Sequence, residues 1–519
     1  MQTIPITIGV SGHRRIREDD RAALSEAVKR ELLAIKERCP HSGLRMLNSL
    51  AAGADQLCAE AALALGIPLV AVLPTEREDY ETDFSGEEKA RFSALLQKAE
   101  QVLIAPEIED AETRDRDYRY RQAGAYVCAH SHVLLALWNG AEEKPGGCGT
   151  AAAVDMKLHD AYLPKDGSAL SGMHAVIQIV TPREGEDGTA GGVRFLGERD
   201  VFFKALSKTD RFNASLSDET EPQKPGEDAV LSRMEAIYAA ADRQSMRFSK
   251  RYRRILAWIA LCSTVVTAAF LLYDEAELHW MIVLCGIALL SCFLLVRFAR
   301  RSDCHRRYLD DRVLAEGIRV QSFLRYAGSD AEVCFLTPWS QRSEIPWVCA
   351  AIAALNVGPK AGNPHSVLES WISGQAAYHE RALKKAKAKQ KRSERFLLIA
   401  LIVSIGFYLA ALFFEPVFGG TFAIRAAIEG AETYRTVLKL ILGGISAATL
   451  FTGNYYGKLS LSRSADDHKK MADFYRRTED LIARFGQSEA ILRCSARAEL
   501  GENGNWYSYQ QDNTPDVSL

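Results

Sequence analysis

At 519 residues the chain is longer than one ordinary domain, and its length predicts three or four folding units. Lys and Arg total 64 against 66 Asp and Glu, a formal charge of −2, which excludes the global basic footprint of a nucleic-acid-binding protein. The 11 cysteines form no CxxC pair and sit mostly among apolar residues, which argues for reduced thiols in a cytosolic or membrane setting and against a disulfide framework. A mean hydropathy of −0.11 hides a division. The first half is soluble in character, whereas the second carries four long apolar runs.

The chain opens on a strand-like run, Ile4 to Val10, rather than on a charged segment and an apolar cleavage region, so no secretory signal peptide is expected. That run ends in Ser11-Gly12-His13-Arg14-Arg15. Leu24, Val28, Leu32 and Ile35 then recur at helical spacing. Leu44 to Leu47 is a second short strand, and the small-residue loop Asn48 to Asp55 leads into a helix from Gln56 to Leu65. Ile67 to Leu73 is a third strand closed by Pro74-Thr75, and Val102 to Ala105 a fourth. Tyr118 to Ala129 reads as a helix feeding the apolar strand Val133 to Trp138. Beyond Asn139-Gly140 comes Lys144-Pro145-Gly146-Gly147-Cys148-Gly149-Thr150, then an alanine run that reads as a helix. Ala175 to Val180 is a late strand.

Strands alternating with helices predict a doubly wound, mostly parallel, Rossmann-like α/β sheet with helices on both faces. Ligands in such folds bind beyond the carboxyl ends of the strands. Strand, glycine-rich loop and helix start together offer backbone N–H groups to a phosphate, and a side chain in the loop would hold the phosphate off. The ligand-contacting candidates therefore lie at these ends. They are Gly9, Ser11, Gly12, His13 and Arg14 after the first strand, and Ser49, Gly53 and Asp55 after the second. Arg121 adds a positive charge, and Asn139, Gly140, Gly146, Gly147, Gly149 and Thr150 follow Trp138. Asp55 reads equally as a helix cap or as a partner for a ribose hydroxyl. Cys128-x-His130-x-His132 lacks the usual zinc spacing and a nearby fourth ligand, so no metal is expected. Neither GxGxxG, a Walker motif nor HExxH occurs.

Gly9-Val-Ser-Gly-His-Arg14, Ser49-Leu-Ala-Ala-Gly-Ala-Asp55, Leu135-Ala-Leu-Trp-Asn-Gly140 and Gly146-Gly-Cys-Gly-Thr150 together resemble the SLOG superfamily. That group includes DprA, the LOG phosphoribohydrolases and nucleotide-sensing domains of bacterial defence systems. The resemblance covers roughly the first 200 residues, a normal domain size. It implies a pocket for a phosphorylated, ribose-containing nucleotide. The LOG enzymes place a glutamate after Pro-Gly-Gly-x-Gly-Thr, but Ala152 and Ala153 stand in that region here. Asp155 falls two residues late, turned about 200° around the helix. The departure implies binding without catalysis of that type.

Residues 214–227 read as a polar linker. Ile255 to Tyr273 and Met281 to Val296 are each long and apolar enough to span a bilayer, and basic residues flank the pair on one side only. The pattern recurs with Phe396 to Phe414, preceded by a lysine-rich run, and Val437 to Tyr456. An all-α membrane domain with four transmembrane helices in two hairpins is thus expected, both ends inside. A charged helix follows each hairpin, Tyr308 to Tyr326 and then His468 to Phe485. The first resembles the helix that follows the hairpin in two-transmembrane SLATT effector domains. The expected serial order is a nucleotide-binding domain at 1–213, a linker at 214–227, one helix–hairpin–helix unit at 228–328, a connecting segment at 329–375, a second unit at 376–500 and a disordered tail at 501–519. Ile345 to Val357 is too short to span.

By resemblance, the whole implies a multi-pass protein of the bacterial inner membrane, with its N-terminal domain and C-terminus cytoplasmic. It would bind a nucleotide-derived second messenger and, through homo-oligomerisation, perturb the membrane in antiphage defence. The alternative is a membrane-tethered LOG-like enzyme that cleaves nucleotides or N-glycosidic bonds. The expected partners are the nucleotide, the lipid bilayer and further copies of the chain, with no cofactor and no nucleic acid.

Overall fold

The computed structural model describes residues 3–107, 114–142, 147–160, 173–216, 228–275, 277–359, 365–419, 436–437, 439–446, 448–449 and 461–512. Seven strands form one sheet: β1 (Ile6–Gly12), β2 (Leu44–Asn48), β3 (Leu69–Leu73), β4 (Gln101–Ile104), β5 (Val133–Trp138), β6 (Ala175–Val180) and β7 (Val193–Gly197). Their order is β4-β3-β2-β1-β5-β6-β7, and every neighbouring pair is parallel except the last, β6 and β7. The expected mostly parallel sheet is therefore present. An antiparallel edge strand, which the sequence reading lacked, closes one side.

The central strands are apolar almost throughout because both faces are covered. Ile6, Ile8, Leu134 and Ala136 are fully buried. Thr7 is a buried polar exception on β1, and it is satisfied. Its hydroxyl donates to the His130 carbonyl at 2.7 Å and lies 2.9 Å from His132 Nδ1. Burial pushes the His132 imidazole down to about 3, so it is neutral and holds strands together. Among the described residues, no cluster of three His, Cys, Asp or Glu side chains is arranged to hold a metal.

Successive strands β1 to β4 step toward one edge, and β5 to β7 step toward the other. The order thus reverses between β1 and β5, whose register pairs Ile8 with Val133 and Gly12 with Leu137. The helices that matter for this junction are α1 (Arg21–Arg38), α2 (Ala54–Ala64), α3 (Gly86–Lys98), α4 (Arg116–Ala129) and α5 (Thr150–His159), with α6 (Arg199–Ala214) closing the region. α2 approaches so near β1 that a Cβ on Gly12 would overlap the Ala54 methyl. Gly53 has φ +81°, and its Cα faces the Arg14 carbonyl at a distance that leaves no room for a side chain.

The chain divides into two compact units that interleave in sequence, where the sequence alone suggests a serial order. The first comprises Met1–Asp242, Arg312–Val367 and Gln487–Asn505. Its core mixes Leu134, Tyr126 and Val176 with Phe335, Cys349, Ala353 and Val357, so distant segments complete the α/β layer. The run too short to span is the buried helix α10 (Pro346–Asn356), which follows α7 (Ala229–Glu275), α8 (Met281–Ser302) and α9 (Cys304–Tyr326) in the chain.

The second unit comprises Arg243–Asp311, Leu368–Gly486 and Trp506–Leu519. Within it, Ile255 and Ile259 of α7 pack on Cys292 and Ala299 of α8. Trp258, Leu261, Ile287, Leu290, Phe293 and Leu294 are left exposed. Ala229–Glu275 and Met281–Tyr326 each contain a stretch long and apolar enough to cross a membrane. Two such helices, not the expected four, stand among the described residues. The third run lies on α11 (Gly374–Gly419), and the fourth is described only at 437, 439–446 and 448–449. α12 (Leu461–Phe485) packs on α11, with His379 and His468 Nδ1 atoms 3.1 Å apart. Of the expected disordered tail, residues 501–512 are instead helical. α13 runs Glu489–Asp512, because Leu500 and Tyr507 have apolar surface to bury.

Candidate functional site

A cavity of about 590 Å³ opens where the strand order reverses, beyond the carboxyl ends of β1 and β5. This is where a doubly wound sheet leaves a crevice, because the connections on either side diverge. Its volume falls in the range of small-ligand sites. β1 contributes Ser11 and Gly12, and the following loop contributes His13, Arg14 and Arg15. Ser49 and Asp55 enter from the β2–α2 connection, while Gly149 and Thr150 bring in the first turn of α5.

Gly149 is extended at φ −85°, ψ −171°, and no side chain caps the helix that it begins. The free N–H groups of α5 therefore carry partial positive charge at the cavity wall. Thr150 is 7 % exposed there. Asp155, by contrast, points outward and lies 2.8 Å from His159.

Asp55 is a strongly perturbed carboxyl in the wall of the site. It is 5 % exposed, and its Oδ1 has no hydrogen-bond partner. Burial pushes its carboxyl up to about 7, against the pull of the Ala51 amide, the Arg14 guanidinium and the Gly12 amide. Desolvation wins because a carboxylate held away from water has no cation in contact with it. His13 behaves differently: the Asn139 amide donates to its Nε2 at 3.1 Å, which requires that nitrogen to be unprotonated.

The remaining candidates divide. Gly9 and Gly53 serve close packing, Gly9 against Val127 and Ser131. Asn139 is tied to Glu186, whose carboxylate oxygens both lie 3.1 Å from its Nδ2, and Gly140 makes a turn at φ +90°. Arg121 donates to the Gly147 carbonyl at 3.1 Å and so braces the glycine loop rather than lining the cavity. Gly146 lies outside the described residues.

Sequence reasoning missed the opposite wall. Tyr80, Asp83, Arg116 and Tyr120 line the cavity, as does Arg183. Asp83 is the hub: Arg116 reaches it at 2.7 Å, Arg14 at 3.8 Å, and the Tyr120 hydroxyl donates to it. Arg14 also lies over the Tyr120 ring, 5.2 Å from its centroid. The one available signal was the dense run Asp115-Arg-Asp-Tyr-Arg-Tyr-Arg121 at a helix start, whereas Asp83 sits in an ordinary polar loop. Four guanidinium groups (Arg14, Arg15, Arg116 and Arg183), a helix N-terminus and one buried carboxyl thus converge. Such a set can hold an anion at one end and a neutral polar group at the other.

No protein-family model matches the chain, and no curated protein is significantly similar to it.

Proposed function

We propose that this protein is a membrane-bound sensor whose α/β domain holds a phosphorylated nucleotide in the β1–β5 cavity. The observation that carries the reading is the cavity wall itself. The uncapped start of α5 and the arginines at 14, 15, 116 and 183 suit phosphate, while the unpartnered Asp55 oxygen suits a ribose hydroxyl. In the same proposal the effector is a four-span membrane domain, with Phe396–Phe414 and Val437–Tyr456 as its second hairpin. Its N-terminal domain and C-terminus face the bacterial cytoplasm, and oligomerisation on ligand binding perturbs the inner membrane during antiphage defence. The absence of an acidic residue at 152 or 153 favours sensing over LOG-type cleavage.

A second reading has an observation of its own. A buried carboxyl in a cavity, raised to about 7, is also what a general acid requires. One experiment separates the two. The full chain in detergent is screened by thermal shift against ribonucleotides and phosphate-bridged dinucleotides, and each stabilising compound is then chromatographed after prolonged incubation. Stabilisation with the compound intact, lost in Arg14→Gln/Arg116→Gln, is the expected result. Multiple turnover would establish the enzyme, and no stabilisation by any phosphorylated compound would sink both readings.

A further inference from the structure

Arg243, Arg247, Lys250, Arg251 and Arg254 are all exposed on α7. At about 100° per residue they fall within roughly 100° of the helix circumference. With Met246 they line a surface groove of about 520 Å³. Among the described residues, no carboxylate pairs with Arg243, Arg247, Lys250 or Arg254. The other face of this segment is already occupied. Ser245 donates to the Tyr308 carbonyl at 3.3 Å, and the Tyr252 ring stacks on His305 at 4.3 Å. Packing of the hairpin engages only Arg251 on the basic face, whose guanidinium lies 5.2 Å from the centroid of the Phe298 ring of α8, and among the described residues it leaves Arg243, Arg247, Lys250 and Arg254 unused.

That face runs on without turning into the apolar surface of the span. Trp258 and Leu261, 58 % and 43 % exposed, are the first large apolar side chains below it. They lie within about 40° of the direction of Arg254. Lipid that covers Trp258 and Leu261 must put its headgroup against the basic residues directly above. A charge signal for topology needs only lysine and arginine near a span end and sets no face for them. Here the charge is aligned with the lipid-facing side and, among the described residues, Arg243, Arg247, Lys250 and Arg254 have no carboxylate answering them.

We propose that Arg247, Lys250, Arg251 and Arg254, with Trp258 at the interface, form a headgroup site for an anionic phospholipid. Guanidinium groups would grip the phosphate in pairs of hydrogen bonds, the long stems would lie along the acyl chains, and the indole would sit at headgroup level. The site rests on α7 crossing the membrane.

Native mass spectrometry of the full chain in mild detergent, titrated with dioleoyl phosphatidylglycerol or dioleoyl phosphatidylcholine, tests it. Phosphatidylglycerol is expected to bind at least tenfold more tightly. The preference should fall below threefold in Arg247→Gln/Lys250→Gln/Arg251→Gln/Arg254→Gln. It should survive in Lys384→Gln/Lys385→Gln/Lys387→Gln/Lys389→Gln, which removes the same charge elsewhere. Photo-crosslinking phosphatidylglycerol on the unaltered chain needs no variant and should label residues 243–261. Equal loss in both variants, crosslinks only elsewhere, or displacement by millimolar inorganic phosphate or an acidic peptide would overturn the assignment. Release of the chain from membranes by alkaline carbonate would instead remove the span itself, an outcome distinct from a retained chain with no lipid preference.

Discussion

Arg325 donates from Nε to Asp228 Oδ2 at 2.6 Å, while the other oxygen of that carboxylate caps the start of α7. The cap is explicit: Oδ1 accepts from the amides of Val230 and Leu231 at 2.9 and 3.1 Å. Arg325 is 1 % exposed in its side chain and also reaches the Asn356 carbonyl at 3.3 Å. One carboxylate thus fixes where the long helix begins and neutralises a buried guanidinium. Asp228→Ala would remove a cap worth about 1 kcal/mol and strand a buried charge at about 3–5 kcal/mol. Thermal unfolding in detergent should show a large fall in Tm for Asp228→Ala and a smaller one for Asp228→Asn, which keeps an oxygen for the amides. Equal Tm values for the wild type and Asp228→Ala would mean that the pair contributes nothing.

The strands were legible and the interleaving was not. Ile4–Val10, Val133–Trp138 and Ala175–Val180 announce themselves because a strand buried on both faces must be apolar throughout. β7 escaped because Val193 and Arg194 are exposed, so an edge strand carries little of that pattern. Nothing local in Phe335 or Ala353 says that they complete a core begun more than 200 residues earlier, since helix packing writes only an apolar face. The cavity was legible on the sides made by loops at strand ends, where glycine and polar residues interrupt apolar runs. Its Asp83–Arg116–Tyr120 wall was not, because those residues meet only once the chain has crossed from β4 to β5.

Asp83 competes with any anionic ligand for Arg14 and Arg116. A phosphate entering the cavity must displace that carboxylate or share its cations. Asp83→Asn keeps the shape and frees the charge, so the affinity for a stabilising nucleotide should rise by up to about fivefold, the scale of one partly exposed ion pair. Calorimetry of the full chain with the best compound from the thermal-shift screen measures it. A tenfold loss would show that Asp83 contacts the ligand favourably.

The Asp55 carboxyl makes stability depend on pH with an unusual sign. Its folded value, about 7, lies above the ordinary carboxylate range, so the folded state holds a proton that the unfolded chain has already released. Its contribution is complete below about pH 4, is lost as pH rises toward 7, and is flat above that. Asp55→Asn cannot ionise and lacks this slope. The Tm of the variant relative to wild type should therefore climb between pH 5 and pH 7, by an amount corresponding to no more than about 3 kcal/mol. A constant difference across that window would place an ionised carboxylate there at all pH values.

Gly149 offers the most selective block of the cavity. Its backbone is extended, a conformation open to any L-residue, and it occupies the cap position of α5. Asp is a preferred residue there, and its carboxylate would accept from the same N–H groups that an anionic ligand would use. Gly149→Asp should therefore leave Tm unchanged or raise it by a few tenths of a kcal/mol in stability. It should at the same time abolish stabilisation by phosphorylated compounds, because the internal anion satisfies the amides and repels the incoming phosphate. Gly149→Ala is the companion: it adds bulk without charge or an acceptor, and should weaken binding far less. If Gly149→Asp bound nucleotide as well as wild type, the α5 N-terminus would not be the phosphate subsite, and the arginines at 14 and 116 would carry that role alone.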